Sequence, residues 1–295
     1  MKVVILSLEY PPNVYGGVGA HVAGIARALS RHIEVEVRTL EARGPGGEER
    51  GRRPGGSLAV RRYRPGGLSE ASKSLPFRPA LEALALDLSI LSDPMDCELV
   101  HSHTWYMNLA GALAKRLYGA RAVATVHSLE PLRPWKEEQL GPGYALSRWM
   151  EEEGLGACDA VVAVSERMRR DLLRCYSIPR SRVHVVHNGI DPELWRPARD
   201  REALKRLGVR EPYVLFVGRL TRQKGIPVLV EASKSFPPGT TTVLATGRPD
   251  EPGIVSELAK ALRGRRDVVW LRGQLGRREL RALYSSASVS VTPSL

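Results

Sequence analysis

The sequence predicts an α/β protein with two doubly wound domains, each built on a parallel sheet. Short apolar and β-branched runs, such as "KVVILSL" and "YVLFVGRL", recur along the 295 residues and alternate with segments of helical periodicity. This alternation is typical of parallel strands joined by crossover helices, and nearly continuous apolar strands are typical of sheets covered on both faces. A charged, proline-containing stretch at 192–200 interrupts the alternation. We therefore expect one domain over residues 1–195 and a second over 196–295.

Each domain has its own series of strands. A helix from about Gly19 to Arg31 follows the first strand, and in the second domain we expect helices from Gly225, from about Pro252 and over "RRELRALYSSA". The last strand lies just before Leu295, which predicts a second sheet that is incomplete on its C-terminal side. The predicted strands are, in chain order, "KVVILSL", "IEVEVRTL", "SLAVRRY", "CELVHSH", "ARAVATVHS", "CDAVVAVS", "SRVHVVHNG", "YVLFVGRL", "TTTVLATG", "DVVWLRG" and "SVSVTPS".

Composition excludes several classes of protein. The formal net charge is +12, yet the basic residues are scattered and no aromatic motif is interleaved with them, so we expect a solvated basic surface and no nucleic-acid partner. No apolar run approaches the roughly 18 residues that span a membrane, which predicts a cytoplasmic protein with no membrane partner. Three widely spaced cysteines without a C-x-x-C pair are expected to be reduced thiols.

The first strand runs into a glycine-rich loop, "EYPPNVYGGVGAHV", that precedes a helix. The dinucleotide fingerprint G-x-G-x-x-G fits it poorly, because Val22 occupies the third glycine position and the next strand ends on Arg38 and Thr39 rather than on an acid. A nicotinamide cofactor is therefore disfavoured. Two interpretations stay open: a loop whose backbone approaches another ligand, or a tight turn that contacts none.

In "FVGRLTRQKG" three cations, Arg219, Arg222 and Lys224, lie between a strand and the helix expected from Gly225. Cations beside the free N–H groups of a helix N-terminus form a site for a diphosphate. The alternative is a basic surface loop. We favour the diphosphate site because the loop follows the carboxyl end of a parallel strand, where ligands bind in open α/β sheets.

Histidines follow several predicted strands. His127 can reach into a ligand cleft or be hydrogen-bonded within the core, and the sequence leaves both open. "HSHTW" and "HVVHNG" each hold two histidines, but neither has a third ligand at recognisable spacing, so no metal site is predicted. Glu9, Glu130 and Asp191 lie near strand ends, but nothing pairs them as the two carboxylates of a glycoside hydrolase. A G-x-S-x-G nucleophile motif is also absent from the sequence.

Six motifs, in order along the chain, resemble those of the retaining glycosyltransferases of the glycogen synthase type. The resemblance implies two Rossmann-like domains in the GT-B arrangement. Within that group the sequence is most similar to a bacterial-type branch that uses ADP-glucose or a related nucleotide sugar. Some members of the branch elongate α-1,4-glucan, and close relatives form maltose 1-phosphate from glucose 1-phosphate. The motifs are "EYPPNVYGGVGAHV", "LVHSHTWYMNLAG", "TVHSLEPLRPWKEEQLG", "VHVVHNGID", "VLFVGRLTRQKG" and "ALYSSASVSVTPS".

The resemblance implies roles for individual residues. The backbone N–H groups of Gly16 and Gly17 approach the donor diphosphate and its sugar, and Tyr15 stands where many synthases have a lysine. Arg219 and Lys224 hold the diphosphate. His127 hydrogen-bonds the transferred glucose. We also predict donor-binding roles for the turn residue Asn188 and the strand residue Gly218.

The implied reaction needs no cofactor, since the nucleotide sugar is a substrate, and its acceptor is a glucan or glucose 1-phosphate. Two departures from the family pattern stand out. Thr104 replaces the aspartate of the commoner H-x-H-D-W motif. Family members also continue past "VTPS" with a Y-E-P-F-G segment and an E-x7-E motif, which this sequence lacks. Two expectations follow: a separately encoded C-terminal fragment supplies the missing part, or the chain is a truncated remnant that still binds nucleotide or glucan.

Overall fold

The computed structural model describes residues 1–14, 16–41, 49–53, 56–249 and 253–294. They form two compact units, Met1–Gly189 and Ile190–Leu295. The division falls a few residues before the stretch in which the sequence predicts a domain boundary. Each unit is a parallel-sheet α/β structure with helices between the strands, which confirms the predicted fold class.

The first unit is built on an eight-stranded sheet with the order β3-β4-β2-β1-β5-β6-β7-β8. Neighbouring strands are parallel except for β3, which pairs antiparallel with β4 and was not among the strands expected from the sequence. The strands are β1 (Lys2–Ser7), β2 (Glu34–Leu40), β3 (Glu49–Arg53), β4 (Gly56–Tyr63), β5 (Leu99–His103), β6 (Arg121–Val126), β7 (Ala160–Ala163) and β8 (Val183–Val185).

In the part of the first unit that the structure describes, six α-helices accompany this sheet. The first begins two residues before the expected start, with Gly16 as its N-cap. The helices are α1 (Gly17–Leu29), α2 (Arg78–Leu91), α3 (Trp105–Tyr118), α4 (Lys136–Leu140), α5 (Gly143–Ala157) and α6 (Glu166–Cys175).

The second unit has a four-stranded parallel sheet with the order β11-β10-β9-β12, as the four predicted strands require. The expected helix start near Pro252 lies outside the described residues. The strands are β9 (Tyr213–Leu220), β10 (Thr241–Pro249), β11 (Val268–Arg272) and β12 (Val289–Ser290), and the helices are α7 (Arg201–Arg206), α8 (Ile226–Ala232), α9 (Ile254–Ala261) and α10 (Arg277–Ser286).

Strand β1 separates two parts of the core in the first unit. Val3 and Ile5 face Val22 and Ala26 of α1. The alternate residues Val4 and Leu6 pack with residues of α2 and α3. Because successive side chains of a strand point to opposite faces, one apolar run is buried on both sides, as its sequence predicts.

Arg38, at the position where a dinucleotide-binding strand would have an acid, is buried and has a structural role. Its Nη1 donates to the carbonyl oxygens of Ile90 (3.0 Å) and Asp93 (2.6 Å), and its Nη2 donates to the carbonyl of Pro94 (2.8 Å). A cation at the C-terminal end of a helix stabilises the free carbonyls there. Arg38 therefore fixes the end of α2 against β2.

Two further findings bear on the composition-based expectations. Within the described residues, no helix combines the length and the apolar character needed to cross a membrane. Cys97, Cys158 and Cys175 are free thiols, and Cys158 is fully buried. Burial raises the pKa of the Cys158 thiol to about 12, so it is a packed core residue rather than a nucleophile.

Asp87 on α2 is completely buried, and burial raises the pKa of its carboxyl well above the usual value. When folding raises the pKa of a carboxyl, the free energy of unfolding decreases as the pH rises, because the carboxyl ionises more easily in the unfolded chain. We therefore expect the free energy of unfolding of Asp87→Asn to exceed that of the wild type by about 1 kcal/mol or more at pH 8. The difference between the two proteins should be smaller at pH 5. Urea denaturation at the two pH values measures this.

Asp93→Asn is the matched control with the opposite sign. Burial raises the pKa of Asp93, but hydrogen bonds from Tyr63 and Arg61 outweigh burial, and the pKa is lowered overall. The ionised carboxylate therefore stabilises the folded protein at pH values above the unfolded-state pKa. The Asn variant is expected to be less stable than the wild type at pH 8. An Asp87→Asn variant that is also less stable at pH 8 would contradict the assignment of a buried, neutral carboxyl.

Candidate functional site

Three histidines meet at the carboxyl edge of the first sheet. His103 ends β5, His127 follows β6 directly, and His21 lies on α1, the helix after β1. The ring centroids are 5.3 Å apart for His21 and His103, 4.9 Å for His21 and His127, and 5.5 Å for His103 and His127. Since β1, β5 and β6 are parallel neighbours, the segments after them converge at one edge. We call these three residues the histidine cluster.

Burial keeps the imidazoles of this region uncharged. It lowers the pKa of His127 to about 4, brings the pKa of His103 well below its usual value, and also lowers the pKa of His21. His101 lies beside the cluster with a pKa lowered to about 4 by the same cause, and its Nε2 pairs with Thr125 Oγ1 at 2.7 Å. Neutral imidazoles offer one donor and one acceptor each, which suits recognition of hydroxyl groups.

Within the histidine cluster one hydrogen bond joins two rings. His103 Nδ1 lies 3.2 Å from His127 Nε2, so one of these nitrogens donates to the other. The Nε2 atoms of His21 and His103 are buried and have no hydrogen-bond partner among the residues that the structure describes. His127 is half-buried and lies directly after β6, and its role at a ligand site stays a prediction.

The backbone directly after His103 is strained. Thr104 has φ 66° and ψ 164°, a combination that non-glycine residues rarely adopt, and it is the one described residue besides glycines with positive φ. Such a conformation costs on the order of 1–3 kcal/mol and is concentrated at functional sites. The Thr104 carbonyl accepts hydrogen bonds from the N–H groups of Met107 (3.1 Å) and Asn108 (3.2 Å), which hold the turn into α3. The sequence shows the Thr-for-Asp replacement but not this strain.

The glycine-rich loop has an internal partner that the sequence did not indicate. The N–H of Gly16 donates to Glu9 Oε2 at 2.7 Å, which places a carboxylate at the N-terminus of α1. A Cβ at Gly19 would lie 3.0 Å from Glu9 Cβ, so a larger residue there would require Glu9 to shift by a few tenths of an ångström, whereas a Cβ at Gly17 would contact nothing. Tyr15 lies outside the described residues. The donor-binding roles of Gly16 and Gly17 stay predictions.

The segment after His127 is held by a buried ionic network. Lys136 Nζ donates to Glu130 Oε1 at 2.8 Å, and Ser147 Oγ donates to Glu130 Oε2 at 2.9 Å. Tyr144 Oη donates to the Glu130 carbonyl at 2.7 Å, and Lys136 Nζ also lies 5.2 Å from the ring centroid of Trp105. Glu130 is therefore a structural carboxylate that ties this segment to α5, rather than a candidate acid or base.

A second buried carboxylate, Glu151 of α5, extends the network. Its Oε2 accepts the backbone N–H of Glu130 (2.8 Å) and the hydroxyl of Tyr176 (2.5 Å). Burial raises the pKa of Glu151 to about 7, although the two hydrogen bonds oppose this shift. Gly154, one turn further on, permits close approach of α5 to α3, since a Cβ there would lie 2.6 Å from Asn108 Cβ.

In the second unit, one continuous strand, turn and helix carries three predicted residues. Gly218 and Arg219 lie on β9, and Lys224 ends the turn before α8. Gly225 follows with φ +65°, and a Cβ there would overlap the carbonyl oxygen of Pro293, so only glycine fits. Helix α8 has just seven residues, which makes the cations rather than the helix dipole the main source of positive potential.

Two other predicted residues have different surroundings. Arg222 Nη2 forms an ion pair with Glu257 Oε1 of α9 at 2.5 Å, so Arg222 supports the turn from the side. Asn188 is exposed in the segment after β8, at the end of the first unit. Asp191 accepts the N–H of Glu193 at 3.0 Å and acts as a turn residue. The donor-binding role of Asn188 stays a prediction.

Comparison with known proteins identifies the family. The sequence profile of Glycosyltransferase Family 4 matches residues 15–194, and the profile named Glycosyl transferases group 1 matches residues 200–295. The protein belongs to Glycosyltransferase Family 4. This membership confirms the prediction from the motifs that the protein is a glycosyltransferase.

Relatives agree with the family, and solved structures agree with the fold. The glycosyltransferase is 42% identical, over 305 aligned residues, to the alpha-maltose-1-phosphate synthases of Mycolicibacterium smegmatis and Mycobacterium tuberculosis, and it covers 74% of each of them. In structure it is similar to the sucrose-phosphate synthase of Thermosynechococcus elongatus (TM-score 0.76, 20% identity, 99% of this chain and 75% of that one). It is also similar to the starch synthase IV catalytic domain of Arabidopsis thaliana (TM-score 0.69, 18% identity, 100% and 78%). These likenesses confirm the GT-B fold.

The Glu130–Lys136 pair generates a stability prediction, because both groups are buried. Removing one partner of a buried ion pair costs about 3–5 kcal/mol, and the low end of that range applies here because Arg133 Nη1, 3.6 Å from Glu130 Oε1, still compensates part of the charge. We expect Lys136→Met to lose unfolding free energy of that order, and Glu130→Gln combined with Lys136→Met to lose less than the sum of the two single changes. Urea denaturation of the four proteins in this double-mutant cycle measures the coupling. Additive losses would show that the pair does not interact.

Proposed function

We propose that this glycosyltransferase transfers glucose, with retention, from a nucleotide sugar to glucose 1-phosphate and so forms maltose 1-phosphate. ADP-glucose is the favoured donor. The observation that carries the proposal is the 42% identity to alpha-maltose-1-phosphate synthases, which extends over the whole of this chain. The motif resemblance alone favoured elongation of an α-1,4-glucan in glycogen biosynthesis. We keep that activity as the second candidate, since the donor chemistry is the same and only the acceptor differs.

The site has to stabilise the negative charge of the leaving group. As the bond between the anomeric carbon and the diphosphate breaks, negative charge grows on the departing ADP. Fixed cations directed at that charge stabilise the transition state more than the ground state. We assign this role to Arg219 and Lys224, with Gly218 permitting close approach of the donor to β9.

The sugar sets the second demand. His127 is uncharged, half-buried and linked to His103, so its ring orientation is fixed before substrate arrives. We assign it a hydrogen bond to a hydroxyl of the transferred glucose. Gly16 and Gly17, at the start of α1, are assigned to the donor's phosphate and sugar. The Glu9 carboxylate would then have to release the Gly16 N–H, or Gly17 and later amides would supply the contact.

The acceptor assay separates the two candidate functions. We expect ADP release from ADP-glucose to require glucose 1-phosphate, and mass spectrometry to detect a disaccharide phosphate. Glycogen in place of glucose 1-phosphate is expected to support a lower rate, and UDP-glucose serves as the donor control. Faster ADP release with glycogen would instead establish glucan elongation. Absence of nucleotide release from every common sugar donor would reject both.

Substitutions in the second unit test the donor site. We expect Arg219→Ala and Lys224→Ala each to reduce kcat/KM roughly a hundredfold, about 3 kcal/mol of transition-state stabilisation, by analogy with removal of an oxyanion-hole donor. Calorimetric binding of ADP should weaken in the same two variants. Lys234→Ala, which removes an exposed cation paired with Glu231, is the charge-matched control and should bind ADP like the wild type. Equal ADP binding by all four proteins would refute the assigned site.

A further inference from the structure

We propose that the histidine cluster is a binding site for a divalent transition-metal ion, such as Zn²⁺, held by His21, His103 and His127. One ring nitrogen from each residue can be chosen so that all three lie within 4.8 Å of one another. No motif in the sequence indicates this set, because its three members come from separate elements, α1, the end of β5 and the segment after β6. The sequence predicts no metal site, because neither histidine pair has a third ligand at recognisable spacing. The fold brings a third histidine close to His103 and His127.

The distance between two of the rings fits a shared ion. Zinc is bound by imidazole nitrogen at about 2.0–2.1 Å, and in a tetrahedral site two such nitrogens are about 3.3 Å apart. His103 Nδ1 and His127 Nε2 are 3.2 Å apart. These two atoms therefore hold ligand spacing already. A ring nitrogen of His21 lies within 4.8 Å of one on each of the other two rings, and a change of its side-chain rotamer can shorten that distance.

Proton balance also permits binding. The two rings now share one N–H, which points from one nitrogen to the other. When an ion takes both lone pairs, the donating ring moves that proton to its own second nitrogen, so no proton leaves the protein. The buried Nε2 of His21 has no hydrogen-bond partner among the described residues, and an ion would give it one.

The ligand set determines which ions fit. Three neutral imidazoles suit zinc, copper, nickel and cobalt, whereas magnesium and calcium prefer carboxylate and carbonyl oxygen. Three protein ligands leave a fourth position open, as in zinc sites that accept water or another molecule. Thr125 engages Nε2 of the neighbouring His101 at 2.7 Å, so that ring is less available as a competing ligand.

A consequence follows for the proposed reaction, and this part of the inference rests on the proposed function. An ion on His127 Nε2 replaces the hydrogen bond to His103 that orients the ring, and the same ring is assigned to the transferred glucose. Zinc should therefore compete with the sugar donor, raising the apparent KM for ADP-glucose, and a chelator should reverse the effect.

Calorimetry with ZnCl₂ on the full chain, under reducing conditions, tests the site without reference to activity. We expect one equivalent of Zn²⁺ to bind and MgCl₂ to give no binding heat. His21→Ala and His103→Ala should each weaken zinc binding by more than the roughly 10–100-fold that loss of an outer-shell partner costs. Far-ultraviolet circular dichroism and urea denaturation verify that the variants fold.

Two matched controls separate the cluster from other ligands. His184→Ala removes an exposed histidine, and Cys175→Ser removes a partly exposed thiol, and both should bind zinc like the wild type. Zinc binding that survives in the folded His21→Ala and His103→Ala variants, or that is absent from the wild type, would overturn the proposal. Zinc binding at the histidine cluster without a change in the apparent KM for ADP-glucose would support the metal site but contradict competition between zinc and the donor. Failure of glycosyl transfer itself would not alter the calorimetric result.

Discussion

The parallel register of β1, β5 and β6 is the constraint on which the first unit depends. Ile5 pairs with His101 and His103 pairs with Thr125, so the three strands end at one level of the sheet. All the backbone that leaves these strands has to turn at that edge. Parallel strands need crossover helices, and the helices cover both faces, which leaves the edge as the place where polar side chains can gather. The histidine cluster lies there for this reason.

Irregular backbone at this edge requires support, and buried polar groups provide it. Thr104 occupies an unfavourable backbone conformation beside His103, and Glu130, Lys136 and Glu151 form a network under the segment that follows His127. Buried charges are tolerated when they are paired and hydrogen-bonded, and a satisfied network favours one arrangement of the chain. The network contacts α3, α5 and the segment before α4, so it couples the position of that segment to the packing of the helices.

In the second unit, the predicted site residues come from one local segment of the chain. Arg219 and Lys224 belong to a single strand and the turn that follows it. Gly225 allows that turn to pack on the backbone of Pro293, and Glu257 neutralises Arg222 beside it. Because the cations belong to one short segment, their grouping is visible in the sequence. The histidine cluster, in contrast, combines residues from three elements and is visible only after folding.

The sequence by itself determined the fold class, most of the strands along the chain, the cationic turn and the glycosyltransferase class, since these follow from local periodicity, turn residues and motifs read along the chain. It missed β3, whose glycine- and arginine-rich residues lack an apolar strand pattern. It placed Glu9 and Glu130 near strand ends without indicating what they contact. Only the tertiary structure showed that Glu9 accepts from Gly16, that Glu130 is held by Lys136, and that His21 joins His103 and His127. Such contacts depend on strand register and helix packing, which are set by the whole core rather than by neighbouring residues.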